Sequence, residues 1–251
     1  MIRHIHDKNR AYWNAHADEW FGATALPEYG VKFVTEDELH LFGDVSGKKM
    51  LEICCGSGHS LGYHAQRGAA ELWGVDISQK QLDNAEAYLA ERGHSATLIC
   101  APMETDAGIP LGYFDFVYSI YGIGWTTDLG GTFERIASYL KPGGTFIFSW
   151  GHTLSYCVAW ELGTKMEGDA LSFERSYFDE SYFTLSLGGD EVMFSHRMIS
   201  TYINALADAG FLIERMIEQT DAGTMGILEA TGKDKKAQMM PLSMCFKAKK
   251  L

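Results

Sequence analysis

The chain has 251 residues, 46% of them hydrophobic, which suits one large domain with a buried core. Its formal net charge of -12 disfavours a nucleic-acid partner, because only residues 233–236 and 247–250 are locally basic. The start shows no signal segment and no apolar run is as long as a membrane span, so we expect a cytoplasmic protein without a membrane partner. Five cysteines without CxxC spacing predict no disulfide, and no histidine cluster suggests a metal site.

Strand-like and helix-like segments alternate through the middle of the chain. This alternation predicts parallel strand pairing with right-handed crossovers. Together with two later strands it gives an α/β fold whose seven-stranded, mostly parallel sheet carries helices on both faces. The predicted strands are residues 50–54, 71–76, 96–101, 114–120, 145–150, 211–217 and 243–248, and the predicted helices are residues 60–67, 78–92, 131–140 and 198–209.

The segments around this core have a different character. Residues 9–44 combine helical periodicity with several aromatic side chains, which predicts a helical cap. Residues 151–195 lose the regular alternation and are too long for a simple connection, which predicts an insertion on the substrate side. We therefore expect one domain over residues 1–251, in which residues 48–150 bind a cofactor and residues 196–251 supply the last helix and strands.

The most informative motif is residues 50–58, MLEICCGSG. It is typical of a buried strand that enters a glycine-rich turn, in which Gly56 and Gly58 let the backbone approach a ligand. Asp76 ends the next predicted strand. An open α/β sheet binds nucleotides beyond the carboxyl ends of its strands, so we expect a nucleoside-containing cofactor here. A dinucleotide fingerprint would have glycines where Cys54 and Leu61 stand, which disfavours NAD.

These motifs, in this order, resemble the class I S-adenosylmethionine-dependent methyltransferases, especially the type-11-like small-molecule enzymes. The resemblance implies a Rossmann-like fold, S-adenosylmethionine as cofactor, S-adenosylhomocysteine as its product, and a small or medium-sized acceptor. It is carried by residues 51–58, Asp76, residues 100–104, residues 114–119 and the LKPGG turn at residues 140–144.

The resemblance also implies individual cofactor contacts. Glu52 would lie near the cofactor's amino group, and Asp76, followed by Ile77, would bind the ribose hydroxyls. Met103 would lie against the adenine ring, and Glu104 would bind the adenine amino group. An alternative for Asp76 is an N-cap role at the following helix.

Further contacts are expected from the glycine turn and from two other segments. Cys54 replaces the family's first glycine, and because cysteine is small we expect the turn to persist with a negative φ there. Ser119 lies at the end of the fourth strand, on the cofactor side. Tyr12 would close over the cofactor from the N-terminal segment, although aromatic residues at helical spacing also occur in ordinary cores.

Two residues are candidates for assisting the chemistry. Tyr121 and His152 follow the fourth and fifth strands, where a base for a hydroxyl acceptor would be placed. Tyr121 could alternatively pack against the N-terminal helix, and a lone histidine such as His152 is often structural. A base is not required if orientation alone suffices.

The sequence leaves two other functional classes open. One is an S-adenosylmethionine-binding regulatory or scaffold protein that transfers no methyl group, because this chemistry need not leave an invariant base. The other is an NAD-dependent oxidoreductase. The acceptor atom and the oligomeric state are not determined by the sequence.

Overall fold

A computed structural model describes residues 2–158, 171–187 and 189–251 of the chain. Within these residues, no helix has both the length and the apolar character needed to cross a membrane. The strands are β1 (Lys49–Ile53), β2 (Glu71–Asp76), β3 (Thr97–Cys100), β4 (Phe114–Ser119), β5 (Leu140–Gly151), β6 (Tyr182–Leu187), β7 (Asp190–Ser195), β8 (Phe211–Ile217) and β9 (Ser243–Lys250). The α-helices are α1 (Ile2–Ala15), α2 (Glu36–Leu39), α3 (His59–Gln66), α4 (Gln79–Glu91), α5 (Leu129–Tyr139), α6 (Ile199–Asp208), α7 (Ala222–Met225) and α8 (Gly232–Met239).

Seven of the strands form one sheet in the order β3-β2-β1-β4-β5-β9-β8. Strands β1 to β5 pair in parallel, whereas β9 is antiparallel to both β5 and β8. From β1 the chain builds outward to one side through β2 and β3, and to the other side through β4 and β5. The crevice between the carboxyl ends of β1 and β4 is therefore the topological switch point, where such sheets bind ligands. The predicted Rossmann-like sheet is confirmed.

Consecutive strand residues enter separate apolar clusters on the two faces of the sheet. Met50 belongs to one cluster and Leu51 to the other, as do Ile147 and Phe146. This follows from the two-residue period of a strand that is buried on both faces. Helices α5 and α6 contribute to the cluster that contains Leu51, and helices α3 and α4 contribute to the other. The prediction of helices on both faces is confirmed.

The N-terminal segment differs from the prediction. Helix α1 begins earlier than expected and ends at Ala15, and the four-residue α2 is the only other α-helix among the described residues 2–44. Residues 16–35 form turns, bends and isolated bridges instead of a helix. Near the end of this segment Tyr29 donates a hydrogen bond at 2.7 Å to the buried carboxylate of Glu36, which also accepts the Leu41 N–H at 2.8 Å. The prediction of a helical cap over residues 9–44 was wrong for this central part, because buried polar contacts of the turn replace helical packing.

The segment after β5 also contains structure that was not predicted. Strands β6 and β7 form an antiparallel hairpin, and Asn9 of α1 clamps β7 through both backbone groups of Met193. The two hydrogen bonds measure 2.8 and 2.9 Å. The described part of the insertion is therefore joined to α1. Residues 159–170 of the predicted insertion lie outside the described residues.

Candidate functional site

A cavity of about 400 Å³ lies beyond the carboxyl ends of β1 and β4. Its walls come from the turn after β1, the end of β2, the loops after β3 and β4, helix α1, the β6–β7 hairpin and helix α8. Elements distant in sequence therefore meet at the switch point of the sheet. A volume of this size is typical of small-molecule sites.

The turn after β1 contains three residues in the left-handed backbone region. Cys54 has a φ of 58°, Gly56 of 49° and Gly58 of 74°. The expectation of a negative φ at Cys54 was wrong. The backbone keeps the conformation that a glycine adopts freely, at a cost of roughly 1–2 kcal/mol for an L-residue. Cys54 packs closely against the loop after β4, since a Cβ built on Gly122 of this loop would lie 2.4 Å from the Cys54 Cβ.

Asp76 connects this turn to the beginning of α4. Its Oδ2 accepts a hydrogen bond from the Gly56 N–H at 3.0 Å, and its Oδ1 accepts one from the Ser78 N–H at 2.9 Å. Burial raises the pKa of Asp76 to about 6, although these N–H donors oppose the shift. The N-cap of α4 is Ser78, so the alternative N-cap role of Asp76 is not observed. The carboxylate keeps lone pairs for further donors, since an ionised carboxylate accepts about four hydrogen bonds.

Two buried side-chain oxygens that face the cavity lack partners. Within the described residues, Oε2 of Glu52 and Oε1 of Gln81 accept no hydrogen bond. Burial raises the pKa of Glu52 well above its usual range, and the nearby Asp76 charge adds to the shift. Buried polar atoms are normally satisfied, so such orphaned atoms favour a ligand that brings donors. A cationic ligand would also relieve the repulsion between the two carboxylates.

The loop after β3 brings Met103 and Glu104 to the cavity, and Ile77 lines it beside Asp76. Glu104 is fixed by the loop after β4: its Oε1 accepts from the Thr126 hydroxyl at 2.9 Å and from the Thr127 N–H at 2.5 Å. The other carboxylate oxygen lies 3.4 Å from Nε2 of His6. The cavity lining therefore contains three carboxyl groups: Glu52, Asp76 and Glu104.

Aromatic side chains form another part of the cavity wall. The ring of Trp150 lies 5.3 Å from that of Tyr121 and 5.5 Å from that of Trp125, measured between centroids. Trp13 of α1 meets Trp125 edge-on at 5.4 Å. Tyr121 has a φ of 55°, and its N–H donates to the Ser149 hydroxyl at 3.1 Å. Burial raises the pKa of Tyr121 to about 12, so its phenol stays protonated at neutral pH.

Not every residue singled out from the sequence reaches the cavity. Cavity-lining side chains include those of Glu52, Cys54, Asp76, Ile77, Met103, Glu104 and Tyr121, together with Gly56. Four other predicted site residues lie outside this lining: Tyr12, Gly58, Ser119 and His152.

Each of these four residues has a structural environment. The Tyr12 hydroxyl accepts a hydrogen bond from Trp20, and a Cβ built on Gly58 would lie 2.9 Å from that of Ala85. Ser119 is fully buried. His152 is also buried, with Nε2 against Glu218 and Nδ1 accepting from the Leu154 N–H at 3.2 Å.

Several cavity residues were missed from the sequence. His6 and Gln81 line the cofactor end, and Tyr156, Lys233 and Lys236 line the end near α8. None of them belongs to a recognisable motif, and the two lysines lie more than 70 residues from the aromatic segment that they meet. Only the fold brings these side chains together.

Comparisons with known proteins agree with this geometry. Residues 50–144 match a family model described as a methyltransferase domain. An uncharacterized protein of Haemophilus influenzae is 31% identical over 187 residues, which cover 72% of this chain and 73% of that protein. A ubiquinone biosynthesis O-methyltransferase of Idiomarina loihiensis is 34% identical over 118 residues, 47% of each chain. The chain thus spans about half the length of this relative.

Solved structures share the fold over most of the chain. A putative S-adenosylmethionine-dependent methyltransferase from Listeria monocytogenes superimposes with a TM-score of 0.71 at 25% identity, covering 86% of this chain and 96% of that one. A methyltransferase from Mesorhizobium loti gives the same TM-score at 23% identity, covering 88% and 99%. The chain belongs to the class I S-adenosylmethionine-dependent methyltransferases, and it is an enzyme that uses this cofactor.

The cavity residues fit this cofactor. Orphaned oxygens of Glu52 and Gln81 match a ligand rich in donors, and the three carboxyl groups match one that carries positive charge. When bound, S-adenosylmethionine supplies a methyl group that its sulfonium makes electrophilic.

Proposed function

We propose that this methyltransferase methylates a hydroxyl group on a small or medium-sized, ring-containing molecule. The observation that carries the proposal is the aromatic wall of the cavity: Tyr121 and Trp125 follow β4 and Trp150 lies in β5, whereas Asp76 ends β2 on the other side of β1. Flat aromatic surfaces pack well against a ring-shaped ligand. The ubiquinone biosynthesis O-methyltransferases among the relatives support an oxygen acceptor. The net charge of -12 favours a small molecule over a nucleic acid.

The cofactor would be held by the carboxyl-rich end of the cavity. Asp76 would accept hydrogen bonds from the ribose hydroxyls, while Glu52 and Gln81 would receive the remaining donors. Met103 would lie against the adenine ring beside Ile77. This assignment is supported by the burial of Asp76 and by the orphaned oxygens of Glu52 and Gln81.

The backbone of Cys54 and Gly56 would approach the methionine part of the cofactor, and Glu104 would bind the adenine amino group. The left-handed φ values of the turn support the first role. The second is supported by the place of Glu104 in the cavity lining, where Oε1 is held by the threonines after β4 and Oε2 lies 3.4 Å from Nε2 of His6. Gly58, Ser119 and Tyr12 would act indirectly, by fixing the elements that carry these groups.

Tyr121 would position the acceptor without removing its proton. A phenol with a pKa of about 12 is a hydrogen-bond donor at neutral pH, so it can orient an oxygen acceptor towards the methyl group. The acceptor's hydroxyl proton would then be released to water, which requires a hydroxyl about as acidic as that of a phenol, and binding would supply the orientation of the resulting oxyanion. His152 would hold the turn after β5, since both of its ring nitrogens are engaged.

The whole chain would work as one domain over residues 1–251. Helix α1 and the β6–β7 hairpin would form the roof of the acceptor side, because the Asn9–Met193 clamp joins them and both contribute to the cavity wall.

The proposal is tested by transfer of a labelled methyl group. Purified protein is incubated with methyl-labelled S-adenosylmethionine and a panel of phenols, alkyl alcohols and aryl amines of similar size. We expect labelled methyl ethers from phenols. Labelled products from amines alone, or no product from a protein that binds S-adenosylhomocysteine, would contradict oxygen methylation of a ring-containing acceptor.

A further inference from the structure

Two lysines line the same cavity as the three carboxyl groups. Lys233 and Lys236 belong to α8, and they face the segment that follows β5. Lys236 donates to the carbonyl oxygens of Ser155 at 2.9 Å and Val158 at 3.1 Å. Such a pair is notable in a chain whose net charge is -12. The proposed cofactor role of the acidic end leaves these lysines without a function.

The two charged ends of the cavity are well separated. Asp76 ends β2, whereas the lysines lie over the segment after β5, and β1 and β4 stand between these strands. Three strand spacings of about 4.8 Å give a separation of roughly 14 Å. The aromatic wall lies between, since Tyr121 follows β4 and Trp150 is in β5. A ring-sized acceptor on this wall would therefore present its far end to the lysines.

The surroundings of the lysines favour an anion. Asp234 forms an ion pair with Lys32 at 2.7 Å, and among the described residues Lys233 forms no ion pair within 4 Å. Lys236 already has two carbonyl acceptors, and the charge of Glu174 acts on it, so a bound anion would chiefly meet Lys233. Burial lowers the pKa of Lys233, and a bound anion would offset the cost of burying its charge.

We propose that the acceptor carries an anionic group, a carboxylate or a phosphate, which Lys233 and Lys236 bind at the α8 end of the cavity. The inference rests on the proposed function, because it assigns the far end of the same acceptor. The acceptor would be an acidic, hydroxyl-bearing aromatic compound. Its ring would pack on Trp125 and Trp150, and its hydroxyl would point towards the cofactor end.

The test compares two compounds that differ only in charge. The complex with S-adenosylhomocysteine is titrated with 4-hydroxyphenylacetate and with 4-hydroxyphenylacetamide, and binding is followed by calorimetry. We expect the acid to bind at least about tenfold more tightly than the neutral amide. Phenyl phosphate forms a third arm, and preference for it over the acid would identify the anion as a phosphate.

The variant Lys233→Met should reduce the acid-to-amide affinity ratio to near one. Lys233 is chosen because Lys236 also holds two backbone carbonyls, so its loss would disturb the turn. Lys235→Met is the matched control, since Lys235 lies on the same helix outside the cavity lining. Melting temperature and affinity for S-adenosylhomocysteine should be unchanged in both variants.

The outcomes separate this inference from the proposed function. Equal binding of acid and amide, or an unchanged ratio in Lys233→Met, would overturn the anion subsite while leaving methylation of a neutral phenol intact. If neither compound binds, the anion subsite is likewise overturned. Failure to bind S-adenosylhomocysteine in the first step would instead refute the cofactor assignment on which both proposals depend.

Discussion

Replacement of Asp76 by asparagine tests the cofactor end of the cavity with minimal change in shape. In the structure this carboxylate already accepts from the Gly56 and Ser78 N–H groups, and we propose that it also accepts from the ribose hydroxyls. The amide removes the charge and exchanges one acceptor for a donor. A hydrogen bond to a charged group contributes about 1.5–3 kcal/mol, so affinity for S-adenosylhomocysteine should fall by roughly 10- to 100-fold.

The same variant makes a prediction about pH. The carboxylate has to be ionised to accept fully, and its pKa is about 6, so wild-type affinity should be constant at pH 7–8 and weaken as the pH falls below 6. The Asp76→Asn variant should lack this step, because its amide does not titrate. Calorimetric titrations at several pH values between 5 and 8 measure both effects.

Folding provides the control for this experiment. The pKa of Asp76 is raised above its usual value of 3.8, so the folded, ligand-free protein binds this proton more tightly than the unfolded chain does. The group therefore lowers stability as the pH rises from about 4 to 6. In Asp76→Asn this pH-dependent loss should disappear, while one of the two backbone N–H groups now faces the amide NH2, so the variant should be less stable by about 1–3 kcal/mol at pH 8 and still folded in the binding experiment. Asp83→Asn, at an exposed position of α4, should leave affinity unchanged. An affinity of Asp76→Asn within twofold of wild type would refute the ribose assignment.

Two further predictions concern close backbone approaches in the site. A Cβ built on Gly124 would lie 1.8 Å from the Trp150 ring, so Gly124→Ala should lower the free energy of unfolding in urea by about 3 kcal/mol and reduce methyl transfer. Gly130→Ala is the control, because Gly130 has open space around it and its replacement should be neutral or slightly stabilising. Equal effects of the two substitutions would contradict the packing of the aromatic wall. Gly122→Ala should destabilise the protein because its new Cβ would meet the Cβ of Cys54. When Cys54→Gly is also present, the destabilisation by Gly122→Ala should be smaller by about 1 kcal/mol or more. Unfolding free energies of the two substitutions that simply add would contradict this contact.

Much of the sheet could be predicted because its strands carry strong local signals. The bounds of β2 and β8 agree with the predicted residues 71–76 and 211–217. The second run is bounded by Gly210 and Glu218, and the parallel pairing of β1 to β5 follows from the helices between these strands. The β6–β7 hairpin was missed although Phe183, Leu185 and Leu187 alternate with polar residues, because the surrounding composition indicated irregular structure.

The cofactor end of the site was more predictable than the acceptor end, for a physical reason. Glu52, Gly56 and Asp76 sit at strand ends, and the sheet topology alone brings such positions together. Lys233 and Tyr156 line the same cavity only because α8 packs on the segment after β5. The left-handed φ of Cys54 likewise depends on the neighbouring loop at Gly122, which local sequence does not reveal.

A crystal structure of the complex with S-adenosylhomocysteine tests the central claim most directly. The account predicts the ribose on Asp76, the adenine beside Met103, and the sulfur facing the aromatic wall of Tyr121 and Trp125. The space beyond the sulfur should extend along this wall towards α8. A cofactor bound outside this cavity, or one whose sulfur faces away from the aromatic wall, would contradict it.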